Sequence, residues 1–134
     1  MKAFIVATCL LTTVVNTFDL KEVLQIYSNL DKCAKVLPKC GNEPKDLLIR
    51  PDVWHCELSK RNIIDKNGVQ IKERNVELCD IFITNPYNLI YCKKTVSGCI
   101  DKANQGLESV YEKSRAAIEC IIKSGVTSFI EFPK

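Results

Sequence analysis

Cysteine parity constrains this chain more than any other feature. Eight of its 134 residues are cysteine, and Cys9 lies inside an apolar leader, which leaves seven: Cys33, Cys40, Cys56, Cys79, Cys92, Cys99 and Cys120. An odd set cannot close within one molecule, so three bridges plus one thiol, free or shared with a second copy of the chain, is the natural arithmetic. The leader is read from Lys2, the run AFIVATCLLTTVV (Ala3 to Val15) and the small residues around it. Such a run suits a secretory signal peptide and falls short of the roughly 20 apolar residues of a membrane helix. Residues 1–17 are therefore expected to be cleaved off after Thr17, leaving residues 18–134, Phe18 to Lys134, as a single domain. Export places the thiols in an oxidising compartment, where bridges prevail over metal ligands or redox pairs, and no CxxC spacing occurs. No metal and no cofactor are expected.

Charge narrows the partners. Losing Lys2 with the leader lowers the net charge from +3 to +2, and the basic residues are scattered rather than clustered. That pattern argues against nucleic acid or a strongly anionic membrane as the main partner. No further apolar segment is long enough for stable membrane insertion, and no Asn-x-Ser/Thr sequon is present. A chain of this length buries roughly two thirds of its unfolded surface, enough for a real core.

Apolar spacing predicts about five helices. The first opens at Asp19 with Glu22 three residues on, a variant of the capping box, and carries Leu20, Val23, Leu24, Tyr27, Leu30, Ala34 and Leu37 before Pro38 and Gly41 stop it. The Pro- and Gly-rich stretch from Pro38 to Pro51 reads as a loop that exposes Cys40, which suits an intermolecular bond. A second helix is expected from about Asp52 to Ile63, ended by the turn DKNG (Asp65 to Gly68), and a third from Val69 to Thr84. In the third, Val76, Cys79 and Ile83 share one face, with Ile71, Leu78 and Phe82 on its neighbour. Asn85-Pro86 stops it and opens the fourth, whose stripe runs Leu89, Cys92, Val96, Cys99, Ala103. Ser109 and Glu112 form a capping box for the fifth, with Ala117, Ile118, Ile121 and Ile122 inward and Gly125 just past its end. The remainder, VTSFIEFPK, is too apolar for a free tail and is expected to fold back over the bundle.

Six cysteines allow fifteen pairings, and spacing only ranks them. Cys79 with Cys92 flanks the Asn85-Pro86 turn, Cys99 with Cys120 flanks the next connection, and Cys33 with Cys56 ties the first helix to the second. An interlocked pairing would use the same helices.

The strings LPKCGNEPKD, RPDVWHCELSKR, IKERNVELCDIFITNP, CKKTVSGC and IIKSGV closely resemble the fire-ant venom allergen group 2/4 family, and the leader opening MKAFIVATCLL is similar too. The resemblance covers the whole chain and gives all seven mature cysteines counterparts. It implies a secreted venom protein and allergen with a disulfide-stapled all-α bundle, distantly similar to insect odorant- and pheromone-binding proteins that enclose small hydrophobic molecules. It also implies a disulfide-linked homodimer whose interchain cysteine falls on Cys40. The sequence departs from the family pattern in Phe18 to Lys32, in Lys66 to Gln70 and in the tail, where Phe129 and Phe132 replace less bulky residues. A hydrophobic ligand pocket is part of what the resemblance implies; Leu24, Tyr27, Trp54, Leu78, Phe82, Ile121 and Phe129 are the candidates to line it.

Catalysis finds no support in the residues. His55 is the only histidine, and a small secreted phospholipase would need a His-Asp pair flanked by adjacent cysteines, which the chain lacks. His55 therefore reads as a partly buried structural residue, and Trp54 as a core filler before a ligand contact. The segments LSKR (Leu58 to Arg61) and IKER (Ile71 to Arg74) read as solvated, mixed-charge helix surface. The reading that results is a non-enzymatic, secreted, dimeric carrier of a small hydrophobic ligand. Its competitor is a venom interaction protein or toxin with a filled core, acting through its dimer surface.

Overall fold

A computed structural model of the chain describes residues 20–131. The leader with Cys9, the cleavage after Thr17, the Asp19 cap and Phe132 lie outside the described residues. Within them the architecture is all-α, with five helices: α1 (Leu20–Val36), α2 (Pro51–Lys60), α3 (Lys72–Phe82), α4 (Pro86–Asn104) and α5 (Val110–Lys123). Two short 3-10 turns complete it, Leu47–Ile49 before α2 and Val126–Phe129 after α5.

Each helix ends for a local reason. Helix α1 stops at Val36 because Pro38 follows, and its buried face is Val23, Ile26, Leu30, Cys33 and Ala34. Helix α2 begins with Pro51 at its first position and closes at Lys60, earlier than the expected Ile63. Asn62 takes a left-handed backbone there (φ 61°), and the Ile63 and Ile64 amides both return to the Leu58 carbonyl at 2.9 and 3.1 Å.

Helix α3 likewise starts later than its apolar spacing predicts, at Lys72 rather than Val69. Residues 69–71 pair instead with residues 63–65 through an antiparallel bridge between Ile64 and Gln70. Two bonds seal it, Ile71 N–H to the Ile63 carbonyl at 2.7 Å and Asp65 N–H to the Val69 carbonyl at 2.9 Å. The Asp65 carboxylate makes this hairpin the preferred local solution by accepting from the Asn67 and Val69 amides at 2.8 and 3.0 Å. Gly68 supplies the positive φ of 87° that the turn requires. Asn85 then caps α4 by accepting from the Tyr87 and Asn88 amides, and the capping box of Ser109 and Glu112 opens α5.

Packing follows from these faces. Helix α4 lies between α3 and α5, while α2 joins α5 on one side and α1 on the other. Val23, Ile26, Leu30, Val53, Ile64, Ile83 and Ile100 form the most deeply buried part of a single core. Disulfides staple neighbouring helices: Cys33–Cys56 joins α1 to α2, Cys79–Cys92 joins α3 to α4, and Cys99–Cys120 joins α4 to α5. Beyond α5, Gly125 reverses the chain in a left-handed conformation and the tail crosses the end of α3. There Glu131 N–H reaches the Phe82 carbonyl at 3.1 Å, and the Glu131 carboxylate accepts from the Thr84 amide and hydroxyl.

Candidate functional site

Four features of the bundle carry chemistry: an exposed thiol, two cavities and a charged seam. Cys40 is the free cysteine of the described residues, and it is exposed. Its loop is organised by Glu43, whose carboxylate accepts from the Cys40 and Gly41 amides. The hydrogen bond from the Cys40 amide is the largest influence on that carboxyl and, with the other amides, holds its pKa below the ordinary value. The short side chain of Cys40 is thus presented on a locally ordered turn.

The first cavity is an apolar crevice between α2, α3, α4 and α5, roofed by the tail turn through Val126, Thr127 and Ile130. Its volume is about 60 Å³. Four of the ligand candidates, Trp54, Leu78, Phe82 and Ile121, do line it. Trp54 and Phe82 meet edge to face at 6.2 Å, and the indole N–H donates to the Leu48 carbonyl at 2.9 Å, so both rings are fixed as well as apolar. The other three candidates lie elsewhere. Leu24 and Tyr27 are 50% and 44% exposed, because they occupy the outer face of α1 while Val23, Ile26 and Leu30 take the inner one. Phe129 turns its ring toward Tyr91, with centroids 5.9 Å apart, since a short 3-10 turn cannot point Val126, Ile130 and Phe129 inward together.

The second cavity, about 240 Å³, opens where the 65–70 hairpin meets the end of α4 and the start of α5. Buried amides and a hydroxyl shape it. Gln70 Nε2 donates to the Ser114 carbonyl at 3.1 Å, Asn75 Nδ2 donates to Gln70 Oε1 at 2.6 Å, and Ser114 Oγ donates to the Gly68 carbonyl at 2.7 Å. A Cβ on Gly68 would sit 3.3 Å from Val110, so glycine also permits the close approach of hairpin and helix.

The charged seam joins α1 to α2. Glu57 is fully buried; its Oε2 accepts from Arg61 Nε at 2.8 Å and from Asn29 Nδ2 at 3.1 Å, and Arg61 also holds Glu22. The segment Leu58 to Arg61 is therefore not a plain solvated face: Leu58 is core and Arg61 reaches across to Glu22 of α1. Neither Glu57 nor the Gln70, Asn75 and Ser114 set stood out in the sequence. The signal was there, because Glu57 shares a helical stripe with Val53, Trp54 and Leu58, and a charge on an apolar stripe needs a partner. Asn75 sits similarly with Leu78, Cys79 and Phe82, as does Ser114 with Ala117 and Ile118.

His55 packs at a tilt of 59° against Tyr111, with ring centroids 4.9 Å apart. Burial, aided by the positive charge of Arg115, pushes its pKa below the ordinary 6.5. Well above pH 6.5 the ring is neutral in both folded and unfolded chains, so it contributes no slope there. As pH falls through 6.5 the unfolded chain takes up the proton first, so stability declines, and the decline levels off below the folded pKa. Urea midpoints measured from pH 7 to pH 5 should fall, and His55→Phe, which keeps a ring against Tyr111, should flatten the slope. An unchanged slope would show that His55 does not carry it.

These observations define a small disulfide-stapled helical bundle with an unpaired, exposed thiol and an apolar crevice under its tail. Residues 32–125 match a family model described as the ant venom allergen Sol i 2 family. The chain is 42% identical over 129 residues to Venom allergen 2 of Solenopsis saevissima, covering 95% of this chain and 94% of that protein. It is 33% identical over 136 residues to Venom allergen 4 of Solenopsis geminata, covering 100% and 98%. The chain belongs to the ant venom allergen Sol i 2 family.

Proposed function

We propose that this chain is a non-enzymatic, secreted venom protein that works as a homodimer bonded through Cys40 and carries a small hydrophobic molecule in the crevice under its tail. The relatives named as venom allergens support the setting, and the odd thiol supports the assembly. The observation that carries the ligand reading is the roof: Val126, Thr127 and Ile130 overhang an apolar, half-open crevice, and the segment is fastened to the bundle through Glu131. As it stands it holds about 60 Å³, the share of about two waters, whereas small-molecule sites run from about 300 Å³. A drug-sized guest therefore needs the crevice to widen, with the turn as the shortest wall to move, and apolar walls would repay that at about 25 cal/mol for each Å² withdrawn from water.

The small volume is also what favours the second reading, a filled-core interaction protein acting through its dimer surface. A fluorescent apolar probe separates the two. Saturable uptake by the bridged dimer, displaced by venom or cuticular lipids and strengthened when Glu131→Ala loosens the roof, is the result expected of a carrier; no uptake by either form leaves the filled core. For the assembly, non-reducing electrophoresis should show twice the chain mass, and Cys40→Ser should run as a monomer. A covalent dimer that survives Cys40→Ser would mean that another thiol makes the bond.

A further inference from the structure

The larger cavity is not the one under the tail. Its floor is apolar, formed by Ile100 and Ala117, both almost fully buried, and Val110 forms part of its wall. Water gains little against that floor, because an ordered water needs two to four polar partners and the floor offers none; the polar partners lie elsewhere on the lining. Its polar lining comes from Gln70 of the hairpin, Asn104 at the end of α4, and Lys113 and Ser114 of α5. Gln70 Nε2 donates one hydrogen to the Ser114 carbonyl and its second has no assigned partner. Lys113 makes no ion pair among the described residues, and Asp101, one turn back on α4, is already taken by Lys72 at 2.9 Å. Gln70, Asn104 and Lys113 can all donate, and Lys113 is a cation. The hairpin wall is held in place by its bonds to α5, so the space is preformed rather than a gap awaiting collapse.

We propose that this cavity is a binding site for a short amphipathic carboxylate, its apolar body on Ile100 and Ala117 and its head group on Lys113 with the amides of Gln70 and Asn104. A volume of about 240 Å³, at about 30 Å³ for each water-sized unit, admits about eight non-hydrogen atoms, the size of hexanoate. Anion and donors meet at the mouth, where a charge-assisted hydrogen bond keeps much of its strength beside an apolar floor. The site is separate from the crevice under the tail, so it stands or falls independently of the carrier reading.

Amide chemical shifts of the isotope-labelled, fully bridged protein, titrated at pH 7 with hexanoate, hexanol and hexylamine, test it. Hexanoate should produce saturable shifts centred on Gln70, Ile100, Lys113 and Ala117, and hexylamine should bind about tenfold more weakly or not at all. Lys113→Gln should weaken hexanoate about tenfold, equivalent to about 1.4 kcal/mol, while leaving hexanol unchanged. Ala117→Leu should fill the floor and abolish binding; should that buried change unfold the chain, Val110→Phe at the half-open wall serves the same purpose. The proposal is overturned by no saturable response, by equal binding of the three probes, or by indifference to both Lys113→Gln and the filling variant. Shifts centred on Trp54 and Val126 would also overturn it, and would instead support the crevice under the tail.

Discussion

Replacing Arg61 by methionine should lower the free energy of unfolding by about 3 kcal/mol or more, the largest effect expected of any single substitution on the charged residues. The reason lies in Glu57, which is fully buried and whose Oε1 has no protein partner. Its other oxygen is held by Arg61 and Asn29. With the guanidinium gone, a buried carboxylate is left with one neutral amide, and the desolvation of its charge is no longer offset. Glu22 loses one partner at the same stroke, but it stands partly in water and that loss should contribute little. The double variant Glu57→Leu with Arg61→Met removes both buried charges, and most of the loss should be recovered, because an apolar pair of similar volume is often neutral or better. Asn29 is only partly buried, so water can satisfy the amide that Glu57 leaves. Urea unfolding of the four members of the cycle gives the coupling directly. A loss below about 1 kcal/mol for Arg61→Met would show that Glu57 finds solvent or protonates without cost.

What the sequence makes legible here depends on whether the signal is periodic or contextual. The helices of α4 and α5 could be read because Asn85-Pro86 and the Ser109–Glu112 box mark their starts with side chains that bond locally. The cysteines were legible for a similar reason, since a pair flanking a tight turn is brought close by the turn itself. By contrast, Val69 to Ile71 looked helical because their apolar character continues the stripe of α3, yet Asp65 and Gly68 bend them into a bridge with residues 63–65. The same limit explains the ligand candidates. Helical spacing groups residues by face, but it does not say which face of α1 meets α2, so Leu24 and Tyr27 were placed inward when the bundle turns them out. The buried polar groups were hardest of all: beside near partners such as Asn75 and Arg61, Gln70 and Glu57 bond to groups 44 and 28 residues away, which only the folded chain brings close.

Removing the Cys33–Cys56 bridge by alanine at both positions should cost about 3 kcal/mol, the chain-entropy value for a loop closed over 23 residues. The effect should also be local. Helix α1 meets the rest of the bundle mainly through α2, and this bond is the only one of the three disulfides that touches it. Helices α4 and α5 keep Cys99–Cys120, and α3 keeps Cys79–Cys92, so the variant should loosen α1 before the remainder unfolds. Hydrogen exchange should accordingly quicken at the amides of Ile26, Leu30 and Cys33→Ala itself while those of Val96 and Ile118 stay slow. Because the Arg61–Glu22 and Asn29–Glu57 contacts cross the same seam, their loss and the loss of the bridge should not add: once either has loosened α1 from α2, the other has less left to hold. Uniform acceleration across α1, α4 and α5 would instead mean that the bundle opens as one unit, with the α1–α2 seam no weaker than the core around Ile100.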